Sequence, residues 1–356
     1  MMIEREVDFT HGYRMLCEHC GRSNWLSADR YAGSSEAMTT CSSCEEDFNF
    51  GRAVIDLRDP RDPALDDSYL PLFFWYHTST DPDWPRVSKP LTCDEISYLQ
   101  RAGWSKEKIE RHCLVYENQA FHLGTYEAAI ESMLRRMNEQ DDQASIFYLY
   151  RVRLRQNLTL ETGFRNENHN PAAKITSFDL ELKNLDGIRY LNAYESMGSI
   201  SLAVVRGAIE STQRILVPIP TLVEPPDSAT VERVHSFRRK VRDICTAHAA
   251  KPHSLLDKLR LQSAGQTKGQ PLPEPNEAYK VISKMRNFLA DQYLSGLSPV
   301  VREDFLRSLH SPRPSELDEG DLSWLSKFMG LAALFTRPED VQKILTDMPW
   351  TVIESA

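Results

Sequence analysis

The sequence predicts an α+β fold, and three observations carry that expectation. Between residues 71 and 225, short apolar, aromatic-rich runs mix irregularly with helical stretches, without the repeating rhythm of a βαβ series. Two Cys-x-x-Cys pairs precede this region. A largely helical pattern follows it. The 356 residues leave room for two or three domains. The expected division is a metal ribbon at 1–50, a connecting segment at 51–70, a mixed domain at 71–225 and a helical domain at 226–356.

The ribbon rests on spacing. Cys17-x2-Cys20 and Cys41-x2-Cys44 are separated by twenty residues. Two such knuckles set four thiolates around one ion, and a soft tetrahedral sulfur set favours Zn2+. An iron–sulfur centre or free thiols are the remaining readings. Four protein ligands leave no open coordination position, so the zinc is expected to be structural. Gly21 follows the first knuckle, and Trp25 and Tyr31 are candidates to cover the site. Cys93, Cys113 and Cys245 are scattered and suggest no disulfide framework.

No apolar run approaches the roughly 20 residues that span a bilayer. Residues 1–10 carry charges where a signal peptide would be apolar. A cytoplasmic protein with no membrane partner is therefore expected. The net charge of -9 argues against coating duplex nucleic acid over the whole surface.

The elements then follow in order. Residues 52–70, rich in Asp and Pro, read as a connector. Leu72–Tyr76 is a strand candidate, and residues 93–112 read as one or two amphipathic helices. A short strand near Phe121 turns into a helix over Tyr126–Met137, with Thr125 as its N-cap. Arg135 and Arg136 lie near the end of that helix, and Glu127 reads as a first-turn charge favoured by the helix dipole. Ile146–Leu154 is a strand. Residues 161–171, with Arg165 and His169, read as a surface loop. Gly187–Asn192 and Ser199–Val205 are strands, and Pro218, Pro220, Pro225 and Pro226 mark a boundary. Helices are expected at 231–249, 277–294, 298–310, 319–335 and 337–346, with a Gly- and Pro-rich loop at 262–276. Arg233, Arg238, Arg239, Lys240, Arg242, Lys251, Lys258 and Arg260 make a basic stretch. Arg151, Arg153 and Arg155 add a second group. Both read as candidate phosphate contacts or as solvated faces.

Three segments of the mixed domain carry chemistry. They are Tyr76-His77-Thr78-Ser79, then His122-Leu123-Gly124-Thr125-Tyr126-Glu127-Ala128-Ala129, then the block from Asp186 to Ser201, DGIRYLNAYESMGSIS. Taken singly, His77 reads as a core histidine and Glu195 as a loop carboxylate. Together, and in this order, they resemble an ADP-ribosyltransferase domain of the bacterial and phage type. Those families run from Tyr-His-x-Thr through Gly-Thr-x-x-Ala-Ala to Gly-Ile-x-Tyr-x-Asn-x-x-Glu-x-x-Gly-Ser-x-Ser. The resemblance covers roughly residues 70–218, and its third block is the most specific.

The resemblance implies an ADP-ribosyltransferase-like split-sheet domain, flanked by the zinc ribbon and the helical region, that uses NAD. It implies that His77 holds the adenosine ribose, with Thr78 and Ser79 beside the nicotinamide amide. It implies that Glu195 holds the nicotinamide ribose and stabilises the cationic sugar formed as nicotinamide leaves. That state is oxocarbenium-like, so one carboxylate beside it can suffice. In poly(ADP-ribose) polymerase-like members a Tyr stacks on nicotinamide. Here the matching strand end reads Phe121-His122, with Tyr126 a few residues on, so the stacking ring stays open among them. Thr125 and Asn192 are further ligand-contact candidates.

The expected function is mono-ADP-ribosylation of a macromolecular acceptor, with RNA or DNA slightly favoured over protein. A bacterial toxin or phage-defence effector fits, with an antitoxin or regulatory protein as a partner. The alternative is a non-enzymatic zinc-ribbon interaction protein with a degenerate transferase fold.

Overall fold

The computed structural model describes residues 2–34, 36–85, 93–139, 146–169, 172–249, 275–309, 312–314 and 322–354. Its mixed α and β content agrees with the expected class. Residues 262–274 of the loop expected at 262–276 and the basic residues Lys251, Lys258 and Arg260 lie outside the described residues.

The N-terminal ribbon is built from hairpins. Strands β1 (Tyr13–Leu16) and β2 (Ser23–Leu26) pair across the first cysteine knuckle. A short helix α1 (Ala28–Gly33) follows, its Ser27 cap accepting from the Arg30 amide. Strands β3 (Met38–Thr40) and β4 (Asp47–Asn49) pair across the second knuckle, and β5 (Ile55–Asp56) adds to β1. The two knuckles share one backbone design. The Gly21 amide donates to the Cys17 carbonyl at 2.8 Å, and the Glu45 amide to the Cys41 carbonyl at 3.0 Å. Both turn residues are left-handed, with φ of 69° at Gly21 and 63° at Glu45. Glycine accepts that conformation without a Cβ clash, whereas Glu45 carries a cost of about 1–2 kcal/mol.

The ribbon does not stand apart. Tyr13, Met15, Cys17 and Cys41 share one apolar cluster with Trp75, Leu191, Ala193 and Met197. Residues 51–70 are not a loose connector either. Buried Arg189 donates to the Ala64 carbonyl at 2.6 Å and pairs with Asp67, which fastens that segment to a central strand.

The mixed part carries β6 (Trp75–Ser79), α2 (Cys93–Arg101), α3 (Lys106–Glu117), β7 (Phe121–Leu123), α4 (Tyr126–Glu139) and β8 (Phe147–Leu154). It continues through β9 (Arg165–Asn166), α5 (Ser177–Leu182), β10 (Gly187–Leu191), β11 (Ile200–Val204) and β12 (Ile209–Val217). Two four-stranded sheets result, ordered β7-β11-β10-β9 and β13-β12-β8-β6, where β13 is Thr351–Val352. Their edge strands meet where Tyr76 and Gly124 exchange two backbone hydrogen bonds of 2.9 Å. A Cβ at Gly124 would sit 2.8 Å from the Ala128 Cβ and 2.9 Å from the Ser201 Oγ, so only glycine fits this seam.

Some expectations shift. The aromatic run 72–76 is split: Leu70–Leu72 forms a 3-10 turn started by Pro71, and the strand begins at Trp75. The strand β12 was not foreseen. The expected helical domain at 226–356 is not contiguous. The chain divides into one compact unit of Met1–Pro218, Gly296–Ser308 and Arg337–Ala356, and a second of Ile219–Ser295 and Leu309–Thr336. The later segments return to the first unit because α8 (Pro299–Ser308) packs on α4 and β13 pairs with β12.

The second unit is helical. Its α6 (Ser228–Ala249) packs on α7 (Asn276–Tyr293) through Val241, Ala278, Val281 and Ile282, and α9 (Ser323–Thr336) presents Phe328 to Tyr293. The helix α10 (Pro338–Thr346) belongs to the first unit. Among the described residues no helix is long and apolar enough to cross a membrane.

Trp75 anchors the first unit. It is fully buried, and its indole donates to the Leu70 carbonyl at 3.0 Å. We expect Trp75→Ala to cost about 3–5 kcal/mol, read as a lower denaturant midpoint at constant slope.

Candidate functional site

The four ribbon cysteines converge as their spacing predicts. Their sulfurs all lie within 4.8 Å of one another. Cys17 and Cys44 are 3.7 Å apart, as are Cys20 and Cys41. A tetrahedral zinc with bonds of about 2.3 Å needs sulfurs about 3.8 Å apart, so this set can hold one zinc ion. The supporting shell fits thiolates. The Asn24 side chain and the Ser43 amide both lie 3.4 Å from the Cys41 sulfur as donors. Asn24 also accepts from the Ser42 amide at 2.9 Å, so one side chain ties β2 to the second knuckle.

A different chemistry gathers in a cleft of about 740 Å³ at the seam of the two sheets. His77, Thr78, Ser79, Phe121, His122, Asn192 and Glu195 all line it. Thr125 and Tyr126 do not.

Strand β6 delivers His77. Its Nδ1 lies 2.8 Å from the His122 carbonyl, which makes Nδ1 the protonated nitrogen and leaves Nε2 as an acceptor. The ring stacks on Trp84 with centroids 4.3 Å apart. Burial, aided by Arg136 and His122, pushes the His77 pKa down to about 3. It is therefore a neutral imidazole at physiological pH. His122 sits on β7, its Nδ1 3.2 Å from the Tyr190 hydroxyl and its Nε2 buried with no protein partner. Burial, then Arg135, pushes its pKa down to about 4.

The neighbouring hydroxyls are partly committed. Thr78 Oγ1 donates to the Ala129 carbonyl at 2.9 Å, and Ser79 Oγ accepts from the Asp81 amide at 3.0 Å. Phe121 meets Trp84 edge-on at 5.9 Å. Thr125 acts as the expected N-cap, accepting from the Ala128 amide at 3.2 Å. Tyr126 points away from the cleft, buried edge-on against Tyr76 and Phe9. It is no candidate for the stacking ring, because the first turn of α4 packs that face inward. Glu127 is the first-turn acid expected of α4, and it is also buried, accepting from the Asp8 amide at 2.8 Å.

Glu195 sits in the turn between β10 and β11 and is only 7% exposed. Arg135 donates its Nε to Glu195 Oε1 at 2.5 Å. Burial raises the Glu195 pKa, and Arg135 opposes that rise. Asn192 closes the turn, donating to Ser199 and Ser201 at 2.8 and 2.7 Å.

Sequence reasoning missed several lining residues. Arg135 and Arg136 looked like charges at a helix end. Arg136 instead donates to the Thr78 carbonyl at 3.3 Å. Glu167 was hidden in an apparent surface loop. The two-residue strand β9 pairs with the end of β10 and brings Glu167 beside the site turn, where it accepts from the Ala193 amide at 3.0 Å. Burial, with Glu195 nearby, pushes its pKa up to about 7. Trp84 and Tyr190 complete the aromatic lining. The cleft thus offers flat rings, two guanidinium groups and two neighbouring carboxyls, a set suited to an anionic ligand with an aromatic ring and hydroxyls.

The arginines read as phosphate contacts have internal partners. Arg151 is buried and pairs with Glu4 at 3.0 Å, Arg153 lies over Trp350 at 3.7 Å, and Arg155 pairs with Asp186. On α6, Arg238 is buried and Arg239 pairs with Glu232 at 2.7 Å.

The buried groups give opposite pH slopes. Burial pushes His11, His77 and His122 to about 4, 3 and 4. The unfolded chain then takes up protons that the folded chain refuses as pH falls through 6.5, and stability drops. Burial pushes Glu131 and Glu167 up to about 8 and 7, so the stability they contribute is lost as pH rises through those values. We expect a melting temperature that peaks near pH about 6.5 and declines on both sides, checked by thermal scans. For the ribbon, we expect one zinc per chain by metal analysis. Cys41→Ser should lose the metal and unfold the two hairpins.

No family model, curated protein or solved structure matches the chain.

Proposed function

We propose that the chain is a mono-ADP-ribosyltransferase that takes ADP-ribose from NAD and attaches it to a macromolecular acceptor, RNA or DNA in preference to protein. One observation carries the reading. His77 and Glu195, from segments far apart in sequence, line the same cleft, whose volume falls in the range of small-molecule sites.

The residues divide the work as follows. With Nδ1 committed to the His122 carbonyl, His77 keeps Nε2 to accept from a ribose hydroxyl. Its neutrality suits that role. Arg135 and Arg136 supply positive charge for a pyrophosphate. Arg135 also opposes the burial that raises the Glu195 pKa, which favours the ionised form. The carboxylate then faces the positive charge that develops on the ribose as the bond to nicotinamide lengthens. An acceptor oxygen or nitrogen attacks the anomeric carbon, nicotinamide departs with the bonding pair, and the acceptor loses its proton. Water attacking instead gives NAD hydrolysis. A toxin or phage-defence role, with an antitoxin or regulatory protein that blocks the cleft, is the setting we propose.

The Arg135–Glu195 pair also favours a second reading. A carboxylate already engaged at 2.5 Å suits a fold that binds a ligand or partner without cleaving it. One experiment separates the two. Incubate the chain with adenylate-labelled NAD and cell extract, then measure nicotinamide release and label in RNA, DNA and protein. We expect release by the wild type and a loss of about 100- to 1,000-fold in kcat for Glu195→Gln, with KM little changed. Intact NAD with every fraction unlabelled leaves the binding reading standing.

A further inference from the structure

We infer that Arg58, delivered by the ribbon, is a positioning residue for Glu195, so that the ribbon forms part of the site rather than a separate targeting module. This rests on the proposed role of Glu195.

The turn that carries Glu195 is strained next to it. Ser196 has φ 45°, a left-handed backbone on a residue with a Cβ. Such conformations persist where their surroundings over-determine them. Here Arg58 supplies most of that determination. Its Nη2 donates to the Ser196 carbonyl at 2.8 Å and to the Ser196 hydroxyl at 2.5 Å. Its backbone amide donates to the Gly198 carbonyl at 2.9 Å. From the other side, Glu131 on α4 accepts from the Ser196 amide at 2.6 Å. Three polar groups of Ser196 are therefore held, two of them by Arg58.

The approach is close enough to exclude other residues. Gly198 has φ 85°, and a Cβ there would lie 2.9 Å from the Asp56 carbonyl oxygen and 3.2 Å from the Arg58 amide. Met197, between them, is buried in the cluster that also holds Tyr13 and Cys17, and the Tyr31 hydroxyl lies 3.8 Å from its sulfur.

The line back to the cysteines is short. Asp56 pairs with Arg14 and Ile55 with Met15, and β1 ends immediately before Cys17. Arg58 stands two residues beyond that ladder. If the metal-bound hairpins loosen, the segment that places Arg58 loosens with them. Glu195 then keeps Arg135 but loses the constraint on its own backbone. Misplacing a reacting group by about 1 Å is enough to cost about 100-fold in rate.

The test compares wild type with Arg58→Met, which keeps the apolar stem, and with Arg58→Lys, which keeps the charge. Metal content is measured first, to establish that both variants retain one zinc. We expect nicotinamide release by Arg58→Met to fall about 100-fold in kcat with KM for NAD nearly unchanged, and Arg58→Lys to recover part of the loss. Independently of activity, amide exchange over residues 192–199 should quicken about tenfold in Arg58→Met, while exchange in β8 stays as in wild type. Chelating the zinc from wild type should quicken the same peptide. A folded, zinc-loaded Arg58→Met with wild-type kcat or wild-type exchange in that turn overturns the inference. If wild type itself releases no nicotinamide, the cleavage reading fails alone, and the exchange comparison decides whether Arg58 positions the turn.

Discussion

Two backbone hydrogen bonds between Tyr76 and Gly124 join the edges of the two sheets, and the cleft depends on that seam. Without it β6 and β7 would each present an unpaired edge. With it, the next residue on β6, His77, comes within hydrogen-bond reach of the His122 carbonyl on β7. That single contact fixes the imidazole tautomer and leaves one ring nitrogen for a ligand. The seam also explains Gly124. Any side chain there would push the strand off Ala128 at the start of α4 and off Ser201 on β11. The helix that brings Arg135 and Arg136 to the cleft is therefore docked through the same residue.

The second constraint is electrostatic. Glu131, Glu167 and Glu195 are carboxyls shielded from water around one turn, and desolvation opposes their charge in each case. Among the described residues, Glu195 is the one of the three with an arginine in direct contact, and Arg135 opposes the desolvation that raises its pKa. Glu167 accepts from the Ala193 backbone and Glu131 from the Ser196 backbone. The arrangement separates one carboxyl paired with an arginine from two held by backbone amides.

How much of this could be read from sequence depends on the range of the signal. The cysteine ligands were legible because a metal knuckle is a local motif with fixed spacing. The helices α4, α6 and α7 were legible from their apolar period, and β10 and β11 from short apolar runs. Strand β12 escaped because Glu210, Gln213 and Arg214 dilute its alternation, and β13 because two residues carry no pattern. At the site, His77 and Glu195 stood out through the company they keep in sequence. Glu167 and Trp84 did not, since only tertiary folding brings a polar loop and a Pro-flanked tryptophan to the cleft. Tyr126 was misjudged for the same reason. The first turn of a helix can face either way, and here Phe9 and Tyr76 draw the ring inward.

The same limit applies to the ribbon. Its sequence reads as a structural zinc ribbon joined to the mixed domain by a connector. In the fold, its apolar residues enter the cluster under Leu191, Ala193 and Met197, and its last strand leads straight to Arg58. A closed four-sulfur site has no coordination position for chemistry. It can still determine chemistry through backbone. A metal that fixes two hairpins fixes β5, β5 places Arg58, and Arg58 holds Ser196 in a conformation the residue would not adopt alone. At one end of this line stand four cysteines that could hold one metal ion, and at the other residues 56–58 approach Gly198, where a Cβ would lie 2.9 Å from the Asp56 carbonyl oxygen.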